Sequence, residues 1–363
     1  MIIGIPKEIK TKESRVSVTP AGIKELVKEG HTLLVEKSAG LMTAYSDEDY
    51  IKAGAKIVEK ADEVWKGSEL IVKVKEPLKS EYKYFRSDLC IYTYLHLASV
   101  PELVDAMCKS GVMGIGYETV ETADGHLPLL FPMSEVAGKI ATQVGTYLLH
   151  KNHGGKGVLL GGVTGTQRGT VVVIGGGVVG VNAMDVAVGL KANVILLDID
   201  EKRMDELYQE YDGKIKIVKS TPQSVAEWVK KADLLIGAVL IYGDRAPHVV
   251  TREMVKTMEP DSVVVDVSID QGGCIETSRP TSHEEPIYKE HGVIHYCVPN
   301  MPALTPRTST EALTSATFTY LKELANKGIE KALADDPALK LGLQVKDGKV
   351  TLPVLKKLFP QYA

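Results

Sequence analysis

The stretch Thr170–Asp200, TVVVIGGGVVGVNAMDVAVGLKANVILLDID, predicts one strand–turn–helix–strand unit around which the rest of the chain can be placed. Its β-branched opening, Thr170–Ile174, is typical of a strand buried on both faces. Gly175, Gly177 and Gly180 then fit the pattern G-x-G-x-x-G. In a nucleotide-binding turn these glycines permit the tight bend, the close approach of a pyrophosphate and the packing of the following helix.

An acidic residue supports the nucleotide interpretation of this turn. The helix predicted over Val178–Leu190 would present free N–H groups to phosphates, and the next apolar run, Val194–Leu197, ends in Asp198. That position is close to the offset of about 20 residues at which a carboxylate accepts hydrogen bonds from the adenosine ribose. Because this carboxylate would repel a 2′-phosphate, the sequence favours NAD over NADP. The alternative is a purely structural β–α–β unit, since glycine clusters also occur in ordinary turns.

Length and charge limit the classes of function. The 363 residues suffice for two domains of ordinary size, each with its own core. With 43 Lys+Arg against 47 Asp+Glu and no long basic run, the sequence predicts neither a nucleic-acid partner nor a membrane partner. We therefore expect a small soluble ligand.

Targeting signals and cysteines give two further expectations. The start, MIIGIPKEIK, lacks a basic region followed by an apolar one, and no apolar stretch approaches the roughly 18 residues of a membrane span, so we expect a cytoplasmic protein. The cysteines show neither a CxxC pair nor a metal-like spacing with histidine, which favours buried free thiols and predicts no metal site. They are Cys90, Cys108, Cys274 and Cys297.

Strand and helix patterns also alternate before the nucleotide-binding stretch, from Ile2 to Glu118. This alternation predicts an α/β fold with two Rossmann-like, doubly wound parallel-sheet domains and a cleft between them. A helical pattern beyond Thr308, after the second sheet is complete, is expected to pack back on the first domain. The predicted domains are therefore 1–130 with 306–363, and 131–305.

Polar residues are predicted at the carboxyl ends of strands, where open parallel sheets bind ligands. Arg15 follows the first strand, Lys75 ends IVKVK, and His96 ends the strand predicted over Leu89–His96. In the second sheet, Asp270 closes the run SVVVDVSID. Taken singly, Arg15 and Lys75 could be solvated charges and His96 a hydrogen-bonded core residue, but these three share one rim of one sheet. Their shared placement favours a ligand site.

These stretches resemble the alanine dehydrogenase family over almost the whole chain. The resemblance is carried by GIPKEIKTKESRVSVTP near the start, KVKEP around Lys75, YLHLA around His96, PMSEVAGK around Ser134, and the later VDVSIDQGGCIETSRPT and CVPNMPALTPRTST. It implies two Rossmann-like domains and the reversible, NAD-dependent oxidative deamination of L-alanine to pyruvate and ammonia. It also implies a homohexamer built from dimers.

Carried onto this sequence, the resemblance implies roles for individual residues. Arg15 and Lys75 would hold the substrate carboxylate and keto oxygen, and His96 and Asp270 would be the catalytic acid/base pair. The implied cofactor contacts are Ser134, Gly175, Gly177, Val178, Val179, Gly180, Asp198, Arg203, Ser220, Val239, Leu240, Ile269, Asp270, Asn300 and Met301.

The chemistry of a 2-oxo acid leads to the same residue types. A carboxylate beside a ketone needs a fork-shaped cation, a second cation near the oxygen that develops charge, and a proton carrier that works near neutral pH. Arg15, Lys75 and His96 supply these three groups.

Two alternatives remain open. The opening and the glycine turn are also similar to the proton-translocating transhydrogenase alpha subunit, which would have a partner subunit and no amino-acid substrate. His96 and the DQGG that follows Ile269 favour the dehydrogenase. The second alternative is a non-catalytic NAD-sensing protein, which would bind the nucleotide without turnover.

Overall fold

The strands of the computed structural model form two sheets, one in each of two units of the chain. The structure describes residues 1–239 and 246–363, so Leu240, a predicted cofactor contact, lies outside the described residues. The strands are β1 Ile2–Ile5, β2 Thr32–Glu36, β3 Lys56–Val58, β4 Leu70–Val72, β5 Cys90–Thr93, β6 Met113–Gly116, β7 Thr170–Ile174, β8 Asn193–Asp198, β9 Lys216–Lys219, β10 Leu234–Gly237, β11 Val263–Asp266, β12 Ile287–Glu290, β13 Val293–Tyr296, β14 Leu343–Lys346 and β15 Lys349–Val350.

The helices alternate with these strands over most of the chain. They are α1 Pro20–Lys28, α2 Asp47–Lys52, α3 Ala61–Gly67, α4 Pro101–Ser110, α5 Phe131–Leu148, α6 Val178–Gly189, α7 Glu201–Tyr211, α8 Pro222–Val229, α9 Arg252–Val255, α10 Pro306–Lys327, α11 Ile329–Asp335, α12 Pro337–Gly342 and α13 Pro353–Leu358. In the described part of the chain, no helix is both long and apolar enough to cross a membrane.

The first unit comprises Met1–Met133 and Ala303–Ala363. Its sheet has the order β15-β14-β6-β5-β4-β1-β2-β3, and β1 to β6 pair in parallel. β14 joins the edge strand β6 antiparallel, and β15 pairs antiparallel with β14. The C-terminal residues Val345 and Leu355 pack in one buried apolar cluster with Trp65 and Ile91. After a helix at Ile329–Leu333 the sequence predicts only a short tail, because strands of four and two residues carry too few positions to show a period.

The second unit comprises Ser134–Pro302 and has the sheet order β12-β13-β11-β10-β7-β8-β9. Its strands are parallel except for β12, which pairs antiparallel with β13 at one edge. β7 has the predicted bounds, the sequence also predicts the helix Glu201–Tyr211 that forms α7, and the α/β prediction is confirmed. The predicted domain boundaries, 1–130 with 306–363 and 131–305, stay a prediction. All four cysteines are buried free thiols, as predicted.

Three predicted strand ends are wrong. β4 ends at Val72, three residues before Lys75; β5 ends at Thr93, three before His96; and β11 ends at Asp266, four before Asp270. In each case the predicted run continues past the last strand-to-strand pairing into a segment where side chains form hydrogen bonds with the backbone. For example, Thr93 Oγ1 donates to the Lys75 carbonyl oxygen at 3.0 Å. A run of apolar residues indicates that a segment is buried. A strand, however, ends where its backbone N–H and C=O groups no longer pair with a neighbouring strand.

The sequence from Ser134 to Lys151, with Val136, Ile140, Val144 and Leu148 at helical spacing, predicts a helix, and the structure places that helix three residues earlier. α5 begins at Phe131 and ends at Leu148, so the first predicted residue, Ser134, lies in its first turn. Helix ends are set by local capping and are less well marked in sequence than the apolar face.

Candidate active site

Arg15 is fixed by a neighbouring carboxylate. Its side chain is only 1% exposed, its Nε donates to Glu13 Oε1 at 2.7 Å, and its Nη2 donates to Glu13 Oε2 at 2.6 Å. Nη1 lies 3.0 Å from the sulfur of Met133. Burial disfavours the cation, but the Glu13 carboxylate outweighs it and raises the pKa of Arg15. The guanidinium is therefore charged and its fork has a set orientation.

Lys75 and His96 are in contact. Lys75 Nζ lies 3.2 Å from His96 Nε2, and the imidazole stacks on the Tyr94 ring with centroids 5.8 Å apart. Burial and then the Lys75 ammonium hold the pKa of His96 well below its ordinary value of 6.5. The imidazole is thus neutral near pH 7 and can accept a proton.

A buried charge cluster supports the backbone at Lys75. Lys73 is ion-paired with Glu8 and Glu81, each at 3.1 Å. Glu8 also accepts the backbone N–H groups of Val74, at 2.6 Å, and Lys75, at 3.3 Å. Burial raises the pKa of Glu8 despite the opposing effect of Lys73.

The sequence analysis missed the carboxylates of the opening loop, Glu8 and Glu13. Charged residues in a polar loop resemble a solvated surface, and their burial arises only when the loop packs over the sheet. The one available signal was the alternation of charged and apolar residues in IVKVKEP, which places Lys73 inside a strand-like run.

The second unit forms the predicted glycine turn at the end of β7. Gly175 has a φ of +102° and donates its N–H to the Leu197 carbonyl oxygen at 2.8 Å. A Cβ on Gly180 would lie 1.8 Å from the Gly175 carbonyl oxygen, whereas one on Gly177 would meet nothing within 4 Å. Gly177 caps α6 without a side chain, so the N–H groups at Val178 and Val179 begin the helix beside open space. This geometry fits the pyrophosphate of a dinucleotide.

Asp198 and Arg203 brace this turn. Asp198, half-buried at the end of β8, accepts the Gly176 N–H and, at 2.8 Å, the Asp200 N–H. Arg203 Nε donates to the Gly176 carbonyl oxygen at 3.0 Å, and its Nη1 pairs with Glu206 at 3.0 Å. The carboxylate is therefore held beside the glycine turn, where a ribose hydroxyl would be bound.

Most of the other predicted cofactor contacts follow the ends of parallel strands in this sheet, and so lie along the same edge. Ser220 follows β9 and donates its backbone N–H to the Asp198 carbonyl oxygen at 2.7 Å. Val239 follows β10, Ile269 follows β11, and Asn300, with a φ of +58°, follows β13.

Two of the predicted cofactor contacts lie on helices. Met301 is buried and begins the 3₁₀ helix Met301–Leu304, and Ser134 lies on α5 rather than beyond a strand.

Asp270 lies on a short 3₁₀ helix, Val267–Gln271, and its side chain is exposed. The loop is anchored by the buried Asp266, whose carboxylate accepts the N–H groups of Ser268 and Cys274 at 3.0 Å and of Ile275 at 3.1 Å. Burial raises the pKa of Asp266. The sequence analysis did not identify Asp266 as the residue that shapes this loop.

These features define a dinucleotide-binding α/β protein with two Rossmann-type units, one of which holds a cluster of cations at the edge of its sheet. Sequence comparison identifies the family. The model of the alanine dehydrogenase/PNT N-terminal domain matches residues 4–137, and that of the C-terminal domain matches residues 141–353. The chain belongs to the alanine dehydrogenase/PNT family.

Individual relatives agree with this assignment. An alanine dehydrogenase of Bacillus subtilis (strain 168) is 53% identical over 353 residues, covering 97% of this chain and 93% of its own. A solved L-alanine dehydrogenase superposes with a TM-score of 0.97 at 46% identity, with both chains covered completely. A transhydrogenase from Sinorhizobium meliloti gives a TM-score of 0.81 at 24% identity, covering 97% of this chain and 99% of the other, which concerns the fold alone.

Proposed function

We propose that this protein catalyses the reversible, NAD-dependent oxidative deamination of L-alanine to pyruvate and ammonia. The observation that carries the proposal is the contact between Lys75 and His96 at the sheet edge where Arg15 also lies, 3.2 Å from Nζ to Nε2. A fixed guanidinium, an ammonium and a neutral imidazole are the groups that a 2-oxo acid requires. The near-complete coverage and high identity of the alanine dehydrogenase relatives support it.

The residues of the first unit divide the chemistry among them. Arg15, which Glu13 holds in a set orientation, binds the substrate carboxylate. Lys75 stabilises the negative charge that develops on the substrate oxygen as water adds to the imine. His96 is neutral, so it accepts a proton from the substrate and returns it as ammonia leaves.

The residues of the second unit bind NAD, which when bound accepts the hydride from the alanine Cα. Gly175, Gly177, Gly180 and the first N–H groups of α6 would hold its phosphates, and Asp198 would accept hydrogen bonds from the ribose. Asp270 orients the water or ammonia and accepts a proton. The further proposed contacts are Ser134, Arg203, Ser220, Val239, Leu240, Ile269, Asn300 and Met301.

The proposal extends to the state of the protein in the cell. We propose a cytoplasmic homohexamer, following the family resemblance, with domains 1–130 plus 306–363 and 131–305. The free thiols of all four cysteines fit a reducing compartment. Light scattering at micromolar concentration tests the assembly, and a monomer would contradict it.

The experiment that tests the reaction is NADH oxidation with pyruvate, with and without ammonium. We expect oxidation that depends on both compounds, and NADH formation from L-alanine and NAD in the reverse direction. Hydride transfer between nucleotides without ammonium dependence would favour the transhydrogenase-like alternative. Binding of NADH with no turnover of any 2-oxo acid would favour the NAD-sensing alternative.

A further inference from the structure

The backbone of His96 adopts a conformation that its own side chain disfavours. Its φ is +50° and its ψ is +35°, in the left-handed region that residues other than glycine rarely occupy. Such a conformation persists only where the surroundings over-determine it. The cause must therefore lie in the contacts of the His96 backbone.

The contact that holds this backbone is the carboxylate of Glu118. Glu118 lies on the 3₁₀ helix Tyr117–Thr119, just beyond the end of β6. Its Oε1 accepts the His96 N–H at 2.8 Å, and its two oxygens lie 3.3 and 3.2 Å from the Leu95 nitrogen. Burial raises the pKa of Glu118, and these hydrogen bonds oppose that rise. One carboxylate thus fixes two successive N–H groups at the turn that carries the imidazole.

Glu118 is in turn held by the C-terminal part of the chain. Gln344, buried on β14, donates through Nε2 to Glu118 Oε1 at 2.9 Å and to Thr119 Oγ1 at 3.1 Å. A Cβ on Gly116 would lie 2.0 Å from Gln344 Nε2, so the glycine at the end of β6 makes room for this amide. The antiparallel addition of β14 to β6 brings Gln344 to this position.

We propose that Gln344 and Glu118 are positioning residues for His96. The C-terminal hairpin, acting through the Gln344 amide, orients the Glu118 carboxylate, and the carboxylate sets the backbone from which the imidazole reaches Lys75. This rests on the proposed function, in which His96 carries the protons.

The test measures kcat and KM for L-alanine in the full-length protein and four variants. Glu118→Leu removes the acceptor and is expected to lower kcat about 100-fold, because a misplacement of about 1 Å costs about that much. Gln344→Leu removes only the supporting donor and should lower kcat about 10-fold. KM for L-alanine should change little in both, because the substrate carboxylate is assigned to Arg15 and not to Glu118 or Gln344.

Two variants serve as rescue and control. Glu118→Gln keeps an oxygen that accepts from His96 and Gln344 but places its NH2 group beside the Leu95 N–H, so kcat should stay well above that of Glu118→Leu. Thr119→Val removes the other acceptor of the Gln344 amide and should leave kcat unchanged.

The outcomes separate the inference from the proposed function. If Gln344→Leu lowers the melting temperature but keeps the kcat of the unmodified protein, Gln344 is a structural residue only and the inference is wrong. Equal losses in Glu118→Leu and Glu118→Gln would also overturn it, since charge rather than hydrogen-bond geometry would then matter. If Glu118→Leu does not fold, Gln344→Leu decides. An unmodified protein that does not turn over L-alanine would remove the proposed function itself.

Discussion

The two units hold their site residues by different means. In the first unit, charged groups are held by other charged groups: Arg15 by Glu13, and Lys73 by Glu8 and Glu81, in surroundings almost closed to solvent. In the second unit, backbone groups do most of the holding: the glycine turn is a backbone structure, and the buried Asp266 is held by backbone N–H groups. The two acidic residues with proposed ligand roles are half-buried, for Asp198, and exposed, for Asp270.

The difference corresponds to the size of the ligands that we propose. A small anionic substrate offers few atoms, so its binding depends on a few charges fixed before it arrives. A dinucleotide offers many atoms, so backbone N–H groups and close approach suffice for most of its contacts. Substitutions in the two units should therefore have different effects on the protein.

The largest effect is expected for Asp270→Asn. Asparagine keeps the size but can neither accept a proton nor carry charge, so turnover should fall about 10²–10⁴-fold in both directions. NADH affinity should be nearly unchanged, because the phosphates and ribose are assigned to other residues. Steady-state kinetics and NADH titration measure the two effects, with the exposed Asp205→Asn as control. Weak NADH binding with normal turnover at saturation would make Asp270 a cofactor-positioning residue instead.

Lys75→Ala tests the cation cluster of the first unit. Removing a charge placed where the substrate oxygen becomes negative should lower turnover about 100–1,000-fold. Lys79→Ala, an exposed lysine of the same loop, should have no effect. Unaltered turnover in Lys75→Ala would show that Lys75 has no part in the chemistry.

Glu13→Ala tests whether the first unit depends on its buried ion pairs. It leaves the Arg15 guanidinium without its carboxylate, and breaking such a pair typically costs about 3–5 kcal/mol in the free energy of unfolding. Glu59→Ala breaks the exposed pair between Lys37 and Glu59, 3.0 Å apart, and should cost far less, because solvent screens exposed pairs. Denaturant unfolding compares the two, and equal costs would contradict the contrast drawn above.

Asp198→Ala tests cofactor preference in the second unit. Removing the carboxylate removes its repulsion of a 2′-phosphate and one partner of the ribose, so the ratio of kcat/KM for NAD over NADP should fall about tenfold, or about 1.4 kcal/mol. An unmodified protein that uses NADPH as readily as NADH would exclude this role.

The smallest effect concerns pH. Because burial and Lys75 hold the pKa of His96 well below 6.5, the acidic limb of kcat/KM for L-alanine should fall below pH 6.5. Lys10 also lowers the pKa of His96, so Lys10→Gln removes a repulsion against the imidazolium and should move that limb upward. A downward shift in the pH profile of this variant would contradict the assignment of the limb to His96.

Local patterns predicted the nucleotide-binding stretch because its determinants are close together in the chain. The bounds of β7 and α7 agree with the structure, and the glycine turn forms where G-x-G-x-x-G stands. A tight bend and a close helix–strand approach exclude a Cβ at Gly180 whatever surrounds them. The parallel α/β class follows in the same way from alternation along the chain.

The sequence by itself thus determined the fold class, the glycine turn and the types of residue at the sheet edges, whereas the tertiary structure decided what holds those residues. The pair between Lys73 and Glu8 joins residues 65 positions apart, and that between Gln344 and Glu118 joins residues 226 apart. The strand ends at Val72, Thr93 and Asp266 depend on such partners as well. The residue type gives the charge of a side chain, but its burial and its hydrogen bonds form only when distant segments pack together.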